Sequence, residues 1–428
     1  MEIINNMKLA SFSRCIDSII LWILVLSTLI FRYLGLTSKI NVLLIFLIFV
    51  SVVLNCISFL KDGSLLCIIC IVGYFFYNFY SLGGSISVCL YNLSQVIPSF
   101  LAIIYVFNLL KRRKDFLFDF LNQKVTLFNI YLYISIPFIL LQANGQYWLA
   151  GNSNGAVNPL GIDLICGLFG FNGTPMMALF VAFAMVLNFD YYCFRCKESQ
   201  KSLFLLLVIP LFIFYSVLPL FNDNKGYYIV LLLFFFLYFV SLKFGRVSTT
   251  NHFESYFKRI GIVYLLIAAF IAVSITLLQI EPIRITFEKM QKEIMQGWEY
   301  GSRSHGSNER IGMIQFGLQD SSHVLKGYGV GQHTWTEPYL FGFWHYGQSD
   351  FGTFLCLGGV ALLIILFFSI FISFTGIVKS FFLSLLVVVS FVIMSIYTQL
   401  FTVISLTVSL LLMIILCISR YSQFVEGN

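Results

Sequence analysis

Apolar stretches of about 17 to 25 residues follow one another almost without pause along this chain. At 1.5 Å of rise per residue, a helix of that length crosses a hydrocarbon core of about 30 Å. Lipid offers no hydrogen bonds, so each backbone N–H and C=O in such a stretch needs an internal partner, and helices supply one. The pattern predicts about twelve spans, near 16–34, 40–60, 64–80, 86–110, 126–142, 173–190, 202–220, 227–243, 260–280, 351–375, 379–397 and 400–419. The expected fold class is therefore all-α integral membrane, with residues 1–428 as a single polytopic membrane domain. No small-residue cleavage site follows the first stretch, so it reads as a retained helix. Only 11% of residues are charged, against roughly 25% in soluble domains, which excludes an ordinary soluble fold.

The positive charges are distributed by side. Numbering the spans from a cytoplasmic amino terminus puts 17 of the 26 Lys and Arg in inside segments, including the run Lys111-Arg112-Arg113-Lys114. Short outside loops hold only Arg32, Lys39 and Lys225. That asymmetry fixes the orientation, with both termini cytoplasmic, and it accounts for the net charge of +7 without nucleic acid as a partner. The lipid bilayer is the partner implied. Most of the ten cysteines lie inside apolar runs, where a thiol behaves as a small hydrophobe, and Cys193-x-x-Cys196 lacks neighbours for a metal or redox site.

The other six basic residues lie in one long outside loop, 281–350, inserted between the ninth and tenth spans, with four of the five histidines and three of the five tryptophans. Within it, Ile283, Phe287, Met290, Ile294 and Trp298 recur at helical spacing after Pro282, which predicts an amphipathic helix on the membrane surface. A second short helix is expected after Asn308, ending at Gly327. A second outside loop, 143–172, interleaves amides with glycines and aromatics, a composition that suits sugar binding and equally suits a plain connector. Trp148 and Asn152 there, with Trp335 and Trp344 in the longer loop, are the candidate glycan contacts.

Three constellations carry candidate chemistry. Lys225, in the polar turn 222–226, puts a cation at a helix start, where it is unfavourable unless it meets an anion; Asp223 is the alternative partner. Arg303 and Arg310 flank the start of the second loop helix, and Arg presents a planar fork suited to a diphosphate, or else pairs with Glu309 or Asp320. Lys326 opens the run Lys326-Gly327-Tyr328-Gly329-Val330-Gly331, which reads as a tight turn. His345 and Asp350, at the water–membrane boundary before the tenth span, are candidate general bases or structural hydrogen-bonding groups. No metal-ligand motif and no nucleotide loop is present, so neither a metal nor any other cofactor is expected.

In order and spacing these residues resemble the Wzy-type O-antigen polymerases and, more distantly, the O-antigen ligases. The resemblance rests on Lys225-Gly226, on Arg310 followed by the turn 326–331, and on His345 before a span containing Gly358-Gly359. It departs from the family pattern in lacking a proline in the turn and in placing Tyr346 after His345. It implies a GT-C-like bundle in the bacterial inner membrane, with its active site facing the periplasm. It also implies an undecaprenyl-diphosphate-linked oligosaccharide as substrate, joined into polysaccharide without metal, and leaves room for a chain-length regulator as partner. In that scheme Lys225, Arg310, Arg303 and Lys326 hold diphosphate, and His345 or Asp350 takes the acceptor proton. A ligase and a lipid-linked oligosaccharide flippase stay open as alternatives, although a flippase would be expected to place charges along a central cavity.

The orientation has a direct check. A cysteine introduced within 301–308 of a cysteine-free variant should react with an impermeant maleimide in intact spheroplasts, and one at 111–114 should not. The reverse pattern would invert the topology.

Overall fold

The structure is a computed structural model that describes residues 2–61, 64–151, 164–170, 173–194, 204–220, 227–228, 230–231, 233, 237, 279, 281–300, 309–335, 339–344, 349–378 and 380–425. Most of the stretch at 227–243 and nearly all of that at 260–280 lie outside the described residues. Among the described residues the chain is helical apart from one small hairpin. In order come α1 (Glu2–Leu26), running into a π-helical turn, α2 (Thr37–Leu54), α3 (Cys56–Lys61), α4 (Ser64–Leu82) and α5 (Ile86–Arg112). Then follow α6 (Lys114–Gln123), α7 (Val125–Ala143), α8 (Thr174–Phe194) and α9 (Ile209–Val217). The last part holds α10 (Glu281–Tyr300), α11 (Glu309–Gln319), the strands β1 (Tyr339–Leu340) and β2 (Phe343–Trp344), α12 (Asp350–Val378), α13 (Phe381–Tyr397) and α14 (Ile404–Val425).

Among the described residues six helical segments are long and apolar enough to cross a membrane, and four further apolar helices are shorter. These ten fall on ten of the twelve apolar stretches of the sequence. The fold is thus that of an α-helical, multi-pass membrane protein. Its helices gather into two compact units, one formed by Met1–Ile68, Val96–Leu231 and Phe401–Leu416, the other by Ile69–Gln95, Leu232–Leu400 and Cys417–Asn428.

The first unit is tied together by a buried acid. Asp17 on α1 is fully buried, and its carboxylate accepts from Arg113 Nη1 at 2.7 Å, Tyr105 Oη at 2.8 Å and Ser51 Oγ at 3.3 Å, with Arg112 Nη2 at 3.6 Å. Arg112 in turn donates to Asn108 Oδ1 and Asn55 Oδ1. A buried charge is tolerable only when paired and hydrogen-bonded, and this network joins α1, α2 and α5 through one carboxylate. In the same unit Gln142 on α7 uses both ends of its amide to fasten the connection after it. Its oxygen accepts from Cys166 N and Gly167 N, while its nitrogen donates to Leu149 O and Gly167 O.

The second unit is organised by a broken helix. Gly359 interrupts α12 with φ 69° and ψ −175°, a backbone region that essentially only glycine adopts. The break frees carbonyls on one side and N–H groups on the other, within a segment apolar enough to span a bilayer. The loop after α11 satisfies both sets. Tyr328 N donates to Cys356 O at 2.7 Å and Gly329 N to Leu357 O at 3.0 Å, while Val360 N donates to Val324 O and Ala361 N to Leu325 O. Tyr74 Oη on α4 caps Gly358 O at 2.6 Å. The glycines expected to make a tight turn therefore serve close approach: a Cβ on Gly327 would lie 2.6 Å from Leu357 O, and one on Gly359 2.3 Å from Leu325 O.

Two buried asparagines pin the returning strand of this loop. Asn78 on α4 donates to Lys326 O and accepts from Val330 N; Asn92 on α5 donates to Val330 O and His333 O and accepts from Trp335 N. Helix α11 lies along α12, with Met313 at Gly352 and Thr353 and Gly317 at Leu355 and Cys356, so residue numbers rise together and the two helices run parallel. Small residues at the contact permit that closeness. The segment 309–331 thus goes down one helix and returns along another. The second loop helix starts where expected, at Glu309, but ends at Gln319, eight residues before Gly327, and it packs lengthwise against a span rather than standing in a free outside loop. The amphipathic helix also forms, as α10, with Ile285, Ile294, Met295 and Trp298 exposed and Arg284 paired with Glu288.

Gly359→Ala should destabilise the protein by about 1–3 kcal/mol from backbone strain alone, before the clash with Leu325 O is added. An unaltered melting temperature in detergent would remove the helix break from this account.

Candidate functional site

The parallel packing of α11 and α12 has an electrostatic consequence. Both helices begin at the same level, Glu309 and Asp350 being their first residues. Extending the contact of Met313 with Gly352 back by one turn places Arg310 beside the start of α12. Two helix amino termini side by side present two positive dipole ends, a setting that attracts anions. Arg310 adds a full charge there. Its guanidinium carbon lies 5.0 Å from the centre of the Tyr397 ring, and its Nε is buried with no hydrogen-bond partner.

The acid side of the site is equally built. Asp350 and Ser349 are fully buried; Ser349 Oγ accepts from Gly352 N as an amino-terminal cap, and Asp350 N donates to Thr398 O at 3.4 Å. Because Thr398 follows Tyr397 directly, the same bond brings the end of α13, whose Tyr397 ring lies under Arg310, to the start of α12. Glu309 is also buried. Arg310, Asp350, Tyr397 and Glu309 therefore meet at one end of the second unit, a cation and two carboxyl groups at paired helix starts. Trp335 packs edge-on against Phe354, one turn further along α12, with ring centres 4.4 Å apart. Its Nε1 is a second buried donor without a partner.

The remaining candidates divide sharply. Lys225, Arg303, His345 and Asn152 lie outside the described residues, as does the side chain of Trp344, whose backbone pairs with Tyr339 in the hairpin. Lys326 is not at the Arg310 end: its ammonium lies 5.3 Å over the Tyr77 ring and its carbonyl meets Asn78, near the helix break. That is about 12 Å along α12 from Asp350, counting eight residues at 1.5 Å. Trp148 is 75% exposed, its Nε1 donating to Gln146 Oε1, and its ring remains open to a ligand. Trp335 differs from the expectation of an open sugar-facing ring, being only 1% exposed.

Tyr397, Asn78 and Asn92 are the residues that sequence reasoning missed. Polar amides inside apolar spans were a usable signal for the asparagines, since such groups need partners in lipid. Tyr397 carried no signal in a chain with 23 tyrosines.

A polar cluster sits at the turn after α11. His323 Nδ1 lies 2.8 Å from Asp320 Oδ2, and Ser322 donates to Asp320 Oδ1 through both Oγ and N. Hydrogen bonds from Ser322 and His323 hold the Asp320 carboxyl at about 2, below its ordinary value. The imidazole stacks on Tyr328 at 4.3 Å, which stacks on Phe316 at 5.4 Å. In the other unit, burial pushes the Cys166 thiol up to about 12, so it is inert at neutral pH. Among the described residues no group of His, Cys, Asp and Glu has the geometry to hold a metal ion. Comparison with protein-family models, with curated proteins and with solved structures finds no match to this chain.

If Arg310 and the paired helix starts form an anion site, pyrophosphate should raise the melting temperature of the purified protein. The stabilisation should approach about 2.7 kcal/mol at a hundred times the dissociation constant. Arg310→Ala should abolish that shift; an equal shift in both proteins would place the anion elsewhere.

Proposed function

We propose that this protein is an O-antigen polymerase, a glycosyltransferase that joins undecaprenyl-diphosphate-linked oligosaccharides on the periplasmic face of a bacterial inner membrane. The observation that supports the reading most directly is Arg310: a cation with a buried, unpartnered Nε, set where two parallel helices begin. Such a place favours the negative charge that builds on a departing diphosphate. Asp350, buried at the start of α12, would take the proton. In the reaction a hydroxyl of one lipid-linked glycan attacks the anomeric carbon of another. The new glycosidic bond forms as the bond to the diphosphate oxygen breaks, the hydroxyl proton passes to the base, and lipid diphosphate leaves with the bonding pair. Preorganised cations then do the work that a divalent metal does elsewhere. Lys225, Arg303 and His345, which the family resemblance assigns to the same chemistry, complete the proposed set.

Strains carrying Arg310→Ala or Lys225→Ala, with protein levels intact, should display lipopolysaccharide bearing single repeat units in place of long chains. Long chains in both would sink the reading. Polymer stranded on the lipid carrier would indicate a ligase, and loss of even the single unit on deletion would indicate a flippase.

A further inference from the structure

The Asp320–His323 pair lies where an exposed ionised group is least expected. Val324 O and Leu325 O bond the N–H groups of Val360 and Ala361, so the turn that carries Asp320 and His323 sits level with the break in α12. That break is about 12 Å from the helix start, well inside a segment apolar enough to span a bilayer. Yet the His323 side chain is 37% exposed and that of Asp320 47%. Charged groups at such depth face a water-filled space or a polar ligand, because lipid would solvate neither.

The pair is also prepared for a particular partner. Both Asp320 oxygens are used within the turn, and Oδ2 lies 2.8 Å from Nδ1 of His323, which leaves Nε2 as the ring nitrogen turned to a ligand. The imidazole cannot swing away, because it stacks on Tyr328 and Tyr328 stacks on Phe316. Phe341 closes the group, 4.9 Å from Tyr328 and 5.4 Å from Phe316, at the tip of the β1–β2 hairpin. It holds that place at φ 54°, a conformation unfavourable for a phenylalanine. A fixed imidazole nitrogen beside clustered aromatic rings is the chemistry that recognises a sugar, whose hydroxyl both donates and accepts while its apolar face covers a ring.

We propose that His323, oriented by Asp320 and flanked by Tyr328, Phe316 and Phe341, forms a saccharide-binding subsite reached by water at the level of the helix break. A hydroxyl of the glycan hydrogen-bonds His323 Nε2 there. The inference rests on the reading of the protein as a glycan polymerase. It places a sugar contact at the far end of α11 from Arg310, so that a single helix separates a site for diphosphate from a site for glycan.

The probe is the oligosaccharide freed by mild acid from the source bacterium's own surface polysaccharide, with dextran as control. In the purified full-length protein, diethyl pyrocarbonate should modify His323, read by peptide mass spectrometry, and the oligosaccharide but not dextran should slow that modification. His323→Gln should weaken oligosaccharide binding at least tenfold by calorimetry. Asp320→Asn, which removes the carboxylate that orients the ring, should weaken it by a smaller factor. An unmodified His323 in the folded protein, modification that proceeds at the same rate with oligosaccharide present, or wild-type affinity in His323→Gln would each overturn the proposal. Polymer length in the Arg310→Ala strain reports separately on the enzyme reading. Long chains there with saccharide protection of His323 would leave the subsite and remove the polymerase; short chains without protection would do the reverse.

Discussion

The second unit depends on one exchange of backbone hydrogen bonds. Gly359 breaks a helix in a segment that would otherwise lie in lipid, and the orphaned groups on either side are taken up by the loop that follows α11. In water such groups would be solvated at little cost. In an apolar medium each unsatisfied one costs several kcal/mol, so the break and the loop stabilise each other and neither persists alone. The glycines at 327 and 359 are the steric condition for that exchange, and Asn78 and Asn92 are its anchors from neighbouring helices.

The candidate site follows from the same arrangement. A loop that must reach the break draws α11 down beside α12, and parallel packing brings their two starts together. Arg310 and Asp350 become neighbours through this packing, not through their separation of forty residues in the chain. Tyr397 enters because α13 ends against the start of α12, where Thr398 accepts from Asp350. Charge placed at paired helix ends is positioned before any ligand arrives, so little reorganisation is left to the moment of binding.

Much of this was legible in the residues, and the divisions have physical causes. The apolar stretches located helices because lipid permits little else; Arg310 was legible as a planar fork at the start of a loop helix, and Asp350 as an acid at the water–membrane boundary. Depth was not legible. Residues 309–331 have the composition of an exposed loop, and nothing local in Lys326 or the glycines says that they bond a helix eight residues inside its start. Trp335 read as an open ring because aromatic content carries no information about burial, and its cover comes from Phe354, nineteen residues away. His323 was grouped with three other histidines, and only the fold gave it Asp320 and Tyr328 as fixed neighbours.

The buried carboxylate of Asp17 carries a consequence for biogenesis. Its guanidinium partners, Arg112 and Arg113, are made some ninety-five residues later, which at about 5–20 residues per second leaves the acid without them for several seconds. During that interval the first helix carries an acid whose burial its later partners do not yet offset, and such a group is costly inside lipid. The final placement of that helix depends on the arrival of α5, which brings Tyr105 and Arg112 to the same carboxylate.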